Sequence, residues 1–283
     1  MAGVAEAPVL YETTDRVATL TLNRPERLNT IVPALIDAFD EALARAQADP
    51  VIHAIRLRGA GRTFCAGYDI DWGAEIMEQV DSADEPWDPI RDYQTMTRYV
   101  SSYMSLWRSP KPVIAQVHGF CVGGGTDFAL CSDLIVCSEE CRIGYPPARV
   151  WGSPTTAMWI YRIGLERSKR LLLTGDPVDG RTAVAWGLAS EAVPEAEIDE
   201  AGMALATRVA RLPQNQLHMM KLLVNQAFEQ MGLSTTQLIG TLLDGSARHT
   251  PEGVEFTRKA MEDVGRAVTE RDAPFGDYGQ ERR

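Results

Sequence analysis

Three consecutive glycines, Gly123-Gly124-Gly125, stand between the β-branched run Val113-Ile114-Ala115-Gln116-Val117 and an apolar stretch that ends near Cys131. With no Cβ over three residues, a ligand can reach the main chain directly. A helix that begins there leaves its first N–H groups unpaired and adds the positive end of its dipole. Such a place favours negative charge developing on an oxygen. A second glycine loop, Phe64-Cys65-Ala66-Gly67-Tyr68-Asp69-Ile70, follows another strand-like run, Ala54-Ile55-Arg56-Leu57-Arg58. Taken alone, a glycine triplet before a helix can also bind a phosphate, or let the helix pack closely on a sheet. The spacing fits neither a P-loop nor a dinucleotide fingerprint. No nucleophile elbow is present.

The rest of the chain supplies the frame. Val17-Ala18-Thr19-Leu20-Thr21-Leu22 reads as a strand and is broken by Asn23-Arg24-Pro25. Leu35, Ile36, Phe39 and Leu43 recur at helical spacing over residues 32–47. Residues 79–93 are acidic, carry two prolines, and read as an exposed insertion. Helix is expected over 94–107, and a further strand at Leu134-Ile135-Val136-Cys137. Beyond residue 155 the pattern is helical: 167–173, 180–186, 197–227 with a break at Leu212-Pro213, and 251–267. Strand–helix alternation followed by helices predicts an α/β core over residues 1–205 and a helical region over 206–283.

Charge and cysteine usage narrow the function. The net charge is −11, which argues against a nucleic-acid partner, since that needs a basic face. An anionic ligand must therefore be held locally, by a few basic side chains and by backbone amides. No apolar run approaches the roughly 20 residues that span a bilayer. The first residues show neither a secretory nor a transit pattern, so a cytoplasmic location without membrane attachment is expected. Cys65, Cys121, Cys131, Cys137 and Cys141 form no CxxC pair and read as free thiols. His53, His118, His218 and His249 lack metal-ligand spacing, so no metal site is expected.

Several collinear motifs resemble the crotonase (enoyl-CoA hydratase/isomerase) family over residues 8–265. They are Leu22-Asn23-Arg24-Pro25-Glu26-Arg27-Leu28-Asn29, the Phe64–Ile70 loop, the segment from Gly123 to Asp133, Leu171-Leu172-Leu173-Thr174-Gly175-Asp176, and Ala185-Trp186-Gly187-Leu188-Ala189. The resemblance implies a crotonase-like ββα spiral core with a C-terminal helical oligomerisation region that builds trimers or dimers of trimers. It implies an acyl-CoA thioester as substrate, with coenzyme A as part of that substrate and no permanently bound cofactor. The backbone amides of Tyr68 and Gly124 then form an oxyanion hole for a thioester enolate. Arg27 corresponds to a residue that meets CoA phosphates, and the strip Ala66, Gly67, Asp69 and Ile70 to one whose backbone contacts adenine. Gly123 belongs to the same cradle. Phe256 and Lys259 correspond to a pair that reaches CoA, often across a subunit interface. Tyr68 is larger than the usual alanine and either reshapes the pocket or packs outward.

The acid–base residues follow the pattern only in part. Asp127 falls where the family places its first carboxylate, one turn beyond Gly124. It reads either as a general acid/base or as a charge that stabilises the helix start. The second carboxylate's place holds Pro147, in Ile143-Gly144-Tyr145-Pro146-Pro147, and proline transfers no proton. Ordinary two-carboxylate hydration is therefore in question. Asp127 acting alone, a hydroxyl from Tyr145 or Tyr68, or an acid from Asp81, Asp84, Glu85 or Asp88 could compensate. The alternatives are a catalytically silent acyl-CoA-binding protein, or an acyl-CoA isomerase or hydrolase that uses Asp127 with a tyrosine. Ser153 and Thr155 read as helix caps.

Overall fold

The computed structural model describes residues 7–73 and 87–278. Its centre is a six-stranded sheet. β1 (Val9–Thr14) pairs antiparallel with β2 (Val17–Leu22). Then β3 (Ala54–Gly59), β4 (Val113–Val117), β6 (Leu134–Ser138) and β8 (Glu191–Val193) add in parallel order. A separate parallel pair joins β5 (Phe120–Val122) to β7 (Arg142–Gly144).

The parallel strands are apolar because both faces of the sheet are covered. On one face Leu20, Leu22, Ile55, Leu57, Ala115, Val117 and Ile135 meet α1 (Pro33–Ala48), α2 (Pro89–Trp107) and α3 (Gly124–Cys131). The kinked helix α4 (Met158–Thr174) and the short α5 (Gly180–Trp186) complete that layer. The alternate residues Val17, Ala54, Ile114 and Val136 face Ile198, Ala206 and Ala210 of α6 (Ile198–Ala210). Residue 205, where the helical region was expected to start, lies inside α6. Four further helices follow: α7 (Gln214–Gln230), α8 (Leu233–Arg248), α9 (Pro251–Glu262) and α10 (Val264–Asp272).

Three expectations need correction. Helix α2 starts at Pro89, not near residue 94, because Asp88 accepts hydrogen bonds from the amides of Ile90 (2.9 Å) and Arg91 (3.2 Å) and Pro89 occupies the first helical position. The last long helix is two helices, because Asp263 leaves helical geometry and caps α10. Helix α8 was not anticipated at all. Its glycines lower helix propensity, but they allow close packing. A Cβ on Gly240 would lie 2.8 Å from the Pro154 carbonyl, and one on Gly245 would lie 2.0 Å from Asp92 Oδ2.

All five cysteines are free and buried, as small apolar groups commonly are. Among the described residues no helix is long and apolar enough to cross a membrane.

Candidate active site

The carboxyl ends of β2, β3 and β4 feed three loops that converge, as expected where parallel strands end. The second and third loops pair with each other. Cys65 donates its amide to Phe120 (3.0 Å), and Val122 donates to Cys65 (3.1 Å). The first loop joins them when Ile31 donates to Gly67 (2.8 Å) and Asp69 donates to Ile31 (3.0 Å). This pairing turns the amide of Tyr68 away from Ile31. Among the described hydrogen bonds, neither the Tyr68 amide nor the Gly124 amide has a protein acceptor.

The two amides are neighbours because glycine permits it. Gly67 and Gly123 hold φ of 92° and 54°, a region that side chains disfavour. A Cβ on Gly67 would sit 3.0 Å from the Val122 carbonyl and 3.5 Å from the Gly124 nitrogen. One on Gly125 would sit 2.3 Å from the Cys65 carbonyl oxygen.

Both loops border a cavity of about 1150 Å³, larger than the ~300–1000 Å³ of most small-ligand sites. The ring of Tyr68 points inward over Gly124, so it does not pack outward. A Cβ on Gly124 would lie 2.7 Å from that ring. Tyr103 donates its hydroxyl to that of Tyr68 (3.0 Å), and Tyr99 meets the Tyr68 ring edge-on. Tyr68, Tyr99, Trp72 and Met96 form an apolar wall.

Asp127 lines the cavity at 2% exposure. Burial, together with the nearby charge of Asp244, pushes its carboxyl up to about 7, against a hydrogen bond donated by the Thr156 hydroxyl. At neutral pH a substantial share of Asp127 is therefore a carboxylic acid able to donate a proton. The hydroxyls of Tyr68 and Tyr145 are pushed well above the usual tyrosine range by burial and by the nearby carboxylates. Both stay protonated. Pro147 occupies the place opposite Gly123, with its Cγ 3.5 Å from where a Cβ on that glycine would be.

Asp244 was not among the expected site residues. This carboxylate, on α8, is buried in the same cavity. It accepts the Ser153 amide (3.2 Å) and a guanidinium N–H of Arg248, and Arg248 also reaches Asp92 on α2 (2.6 Å). Ser153 and Thr155 cap no helix. Helix α4 begins after Ala157 without a side-chain cap, and the Thr155 hydroxyl is buried with no protein partner.

Toward the cavity mouth, Arg27 donates to Asp69 (3.0 Å) and to Asp71. Arg24 (3.2 Å) and the Thr30 hydroxyl (2.9 Å) also bind Asp69. Burial opposes ionisation there, but Arg27 and Thr30 hold the Asp69 carboxyl below its usual range. The Asp69 amide and carbonyl are both bonded within the protein, to Ile31 and Gly73. Asp69 is thus a clamp between the first two loops. Ala66, Gly67 and Ile70 line the cavity beside it.

Phe256 and Lys259 do not join this group. Phe256 packs on Trp151 with ring centroids 5.0 Å apart, and Lys259 pairs with Glu270 (3.3 Å). Asp88 lines the cavity rim but is committed to capping α2. Asp81, Asp84 and Glu85 lie outside the described residues. His118, buried, bonds the Gly61 carbonyl through Nε2 (2.9 Å) and is structural. Among the described residues no cluster of side chains suits a metal ion.

The enoyl-CoA hydratase/isomerase family model matches residues 12–244. A putative enoyl-CoA hydratase of Thermus thermophilus is 32% identical over 248 residues, covering 87% of this chain and 94% of that protein. The (E)-benzylidenesuccinyl-CoA hydratase of Thauera aromatica is 30% identical, covering 72% of this chain and 76% of that protein. An enoyl-CoA hydratase crystal structure from Mycobacterium smegmatis superposes with a TM-score of 0.91 at 44% identity, covering 96% of this chain and 95% of that one. Fold, loop geometry and these likenesses agree: the chain is an enzyme that belongs to the enoyl-CoA hydratase/isomerase family, with the crotonase fold.

Proposed function

We propose that this enzyme acts on an acyl-CoA thioester, holding the thioester oxygen between the amides of Tyr68 and Gly124 while Asp127 manages a proton at the adjacent carbons. The observation that carries the reading is the pair of adjacent amides without protein acceptors, on one cavity, one helical turn from a buried carboxyl. As negative charge moves onto the oxygen, both amides strengthen their hold without having to reorganise. The apolar wall of Tyr68, Tyr99, Trp72 and Met96 receives the acyl group. Arg27, with the backbone of Ala66, Gly67 and Ile70, lies along the route toward solvent that the CoA portion would take.

Catalysis is tested with a panel of aliphatic and aromatic enoyl-CoAs, dienoyl-CoAs and ketoacyl-CoAs. The reading requires turnover of an α,β-unsaturated thioester. Tight binding of every member without turnover would leave only an acyl-CoA-binding protein.

The helical region over 206–283 is assigned to self-association as a trimer or a dimer of trimers. Helix α7 exposes Met219, Met220, Leu222, Leu223 and Val224, and α8 exposes Leu238, Ile239, Leu242 and Leu243, apolar side chains that a neighbouring subunit would cover. Sedimentation at micromolar concentration should give a multiple of three subunits, and a monomeric mass would contradict the assignment. The five free thiols support a reducing, cytoplasmic setting.

A further inference from the structure

We propose that Asp244 is the second proton-handling group of this active site, taking over from helix α8 the task that Pro147 cannot perform. The inference rests on the acyl-CoA reading above and deepens it.

The geometry is carried by one short segment. Residues 153–156 run along the cavity wall and touch both carboxylates. The Ser153 amide donates to Asp244 Oδ1 (3.2 Å), and the Thr156 hydroxyl donates to Asp127 Oδ1. Three residues of chain span at most about 10 Å, so one short segment ties both carboxyl groups to the wall of the same cavity. Helix α8 is fixed against this segment. The Gly240 backbone lies against the Pro154 carbonyl, and the Thr241 hydroxyl bonds the Thr155 carbonyl (3.4 Å). Asp244 is therefore a fixed member of the wall that also carries Asp127, Tyr68 and Tyr145.

The two carboxylates have different surroundings. Asp127 accepts the Thr156 hydroxyl and, among the described residues, has no basic side chain hydrogen-bonded to it. Asp244 faces Arg248 on its own helix, Asp92 on α2, Asp127 on α3, and Tyr68 and Tyr145 on the loops. Burial raises its carboxyl above the usual range, and Arg248 and the Ser153 amide oppose that rise. Arg248 favours the ionised form of Asp244, and burial makes that form more basic than an exposed aspartate. Burial raises both carboxyls, but only Asp244 has a guanidinium against it, and two carboxyl groups in unlike surroundings on one cavity can divide the roles of base and acid. Each Asp244 oxygen has one protein donor and a further lone pair for a water molecule.

The step balances for addition of water to an α,β-unsaturated thioester. Asp244 takes a proton from a water whose oxygen bonds to the β carbon. The electron pair of the double bond moves to the α carbon and thioester oxygen, held by the amides of Tyr68 and Gly124. Protonated Asp127 then gives its proton to the α carbon. The substrate gains one water, Asp244 ends protonated and Asp127 ionised, and exchange with solvent restores both.

The test compares Asp244→Asn, Asp244→Glu and Asp127→Asn on whichever enoyl-CoA the wild type turns over. Asparagine keeps the acceptor for Ser153 but cannot take a proton. We expect Asp244→Asn to lower kcat by ~10²–10⁴-fold, with KM within about threefold, and to remove the acidic limb of the pH–rate profile. Asp244→Glu should recover part of that loss. The wild type itself should show a bell-shaped profile, one limb for each carboxyl, so the claim is checked even where a variant fails to fold. Wild-type turnover in Asp244→Asn with an inactive Asp127→Asn, or a wild-type profile with a single limb, would overturn the role of Asp244 and leave the acyl-CoA reading standing. A wild type that binds enoyl-CoA without turnover would overturn both.

Discussion

Asp127→Asn should lower turnover by ~10²–10⁴-fold, the range for removing a general acid, while acyl-CoA affinity stays within a few-fold. The same change should make the folded protein more stable above neutral pH. The folded carboxyl releases its proton at about 7, whereas an unfolded aspartate does so near 4. Between those values folding takes up a proton, so the Asp127 contribution to stability falls as pH rises and is fully lost above about 7. The cost of burying the ionised group is on the order of 3–4 kcal/mol. Asparagine carries no such cost and can still accept the Thr156 hydroxyl. The variant's melting temperature should therefore match or trail the wild type at pH 4 and exceed it at pH 8. Unchanged turnover would remove Asp127 from the chemistry. A variant less stable than wild type at pH 8 would refute a buried, strained carboxylate.

Gly125→Ala should reduce turnover on the order of 10²–10³-fold, comparable to loss of one oxyanion donor. The new Cβ would lie 2.3 Å from the Cys65 carbonyl oxygen, and neither partner is a flexible side chain. The loops that carry Tyr68 and Gly124 would have to separate. Most of the loss should fall on kcat, because the amides matter most as charge develops. Gly265→Ala, on α10, is the control. There an added Cβ meets only Asp263 Oδ1 at an ordinary 3.4 Å. Full activity in Gly125→Ala would mean that the spacing of the two loops is irrelevant to the reaction.

Much of this site was legible in the residues themselves. The glycine loops fixed where main chain is open to a ligand, and the strand pattern of residues 17–22, 54–58 and 113–117 fixed what brings them together. Asp127 was singled out by the family resemblance, which places a carboxylate one turn from Gly124. What stayed hidden depended on distant packing. Asp244 sits between two glycines of a segment rich in Ser and Thr, weak as a helix signal. It becomes part of the cavity only because Gly240 and Gly245 let α8 press against residues 153–155 and Asp92. The clamp at Asp69 was hidden for a similar reason, since its partners Arg24, Arg27 and Thr30 lie some forty positions earlier in the chain. Strand β1 gave a weak pattern because only Val9 is fully buried. The inward turn of Tyr68 follows from its contacts with Tyr99 and Tyr103 on α2.

The central claim is that two amides polarise a single carbonyl. Infrared difference spectroscopy of a saturated acyl-CoA, isotope-labelled at the thioester carbonyl, reads this directly. In complex with the wild type the carbonyl stretch should fall below its value in buffer, and Gly125→Ala should move it back. A bound thioester whose carbonyl absorbs at or above the buffer frequency would contradict the account.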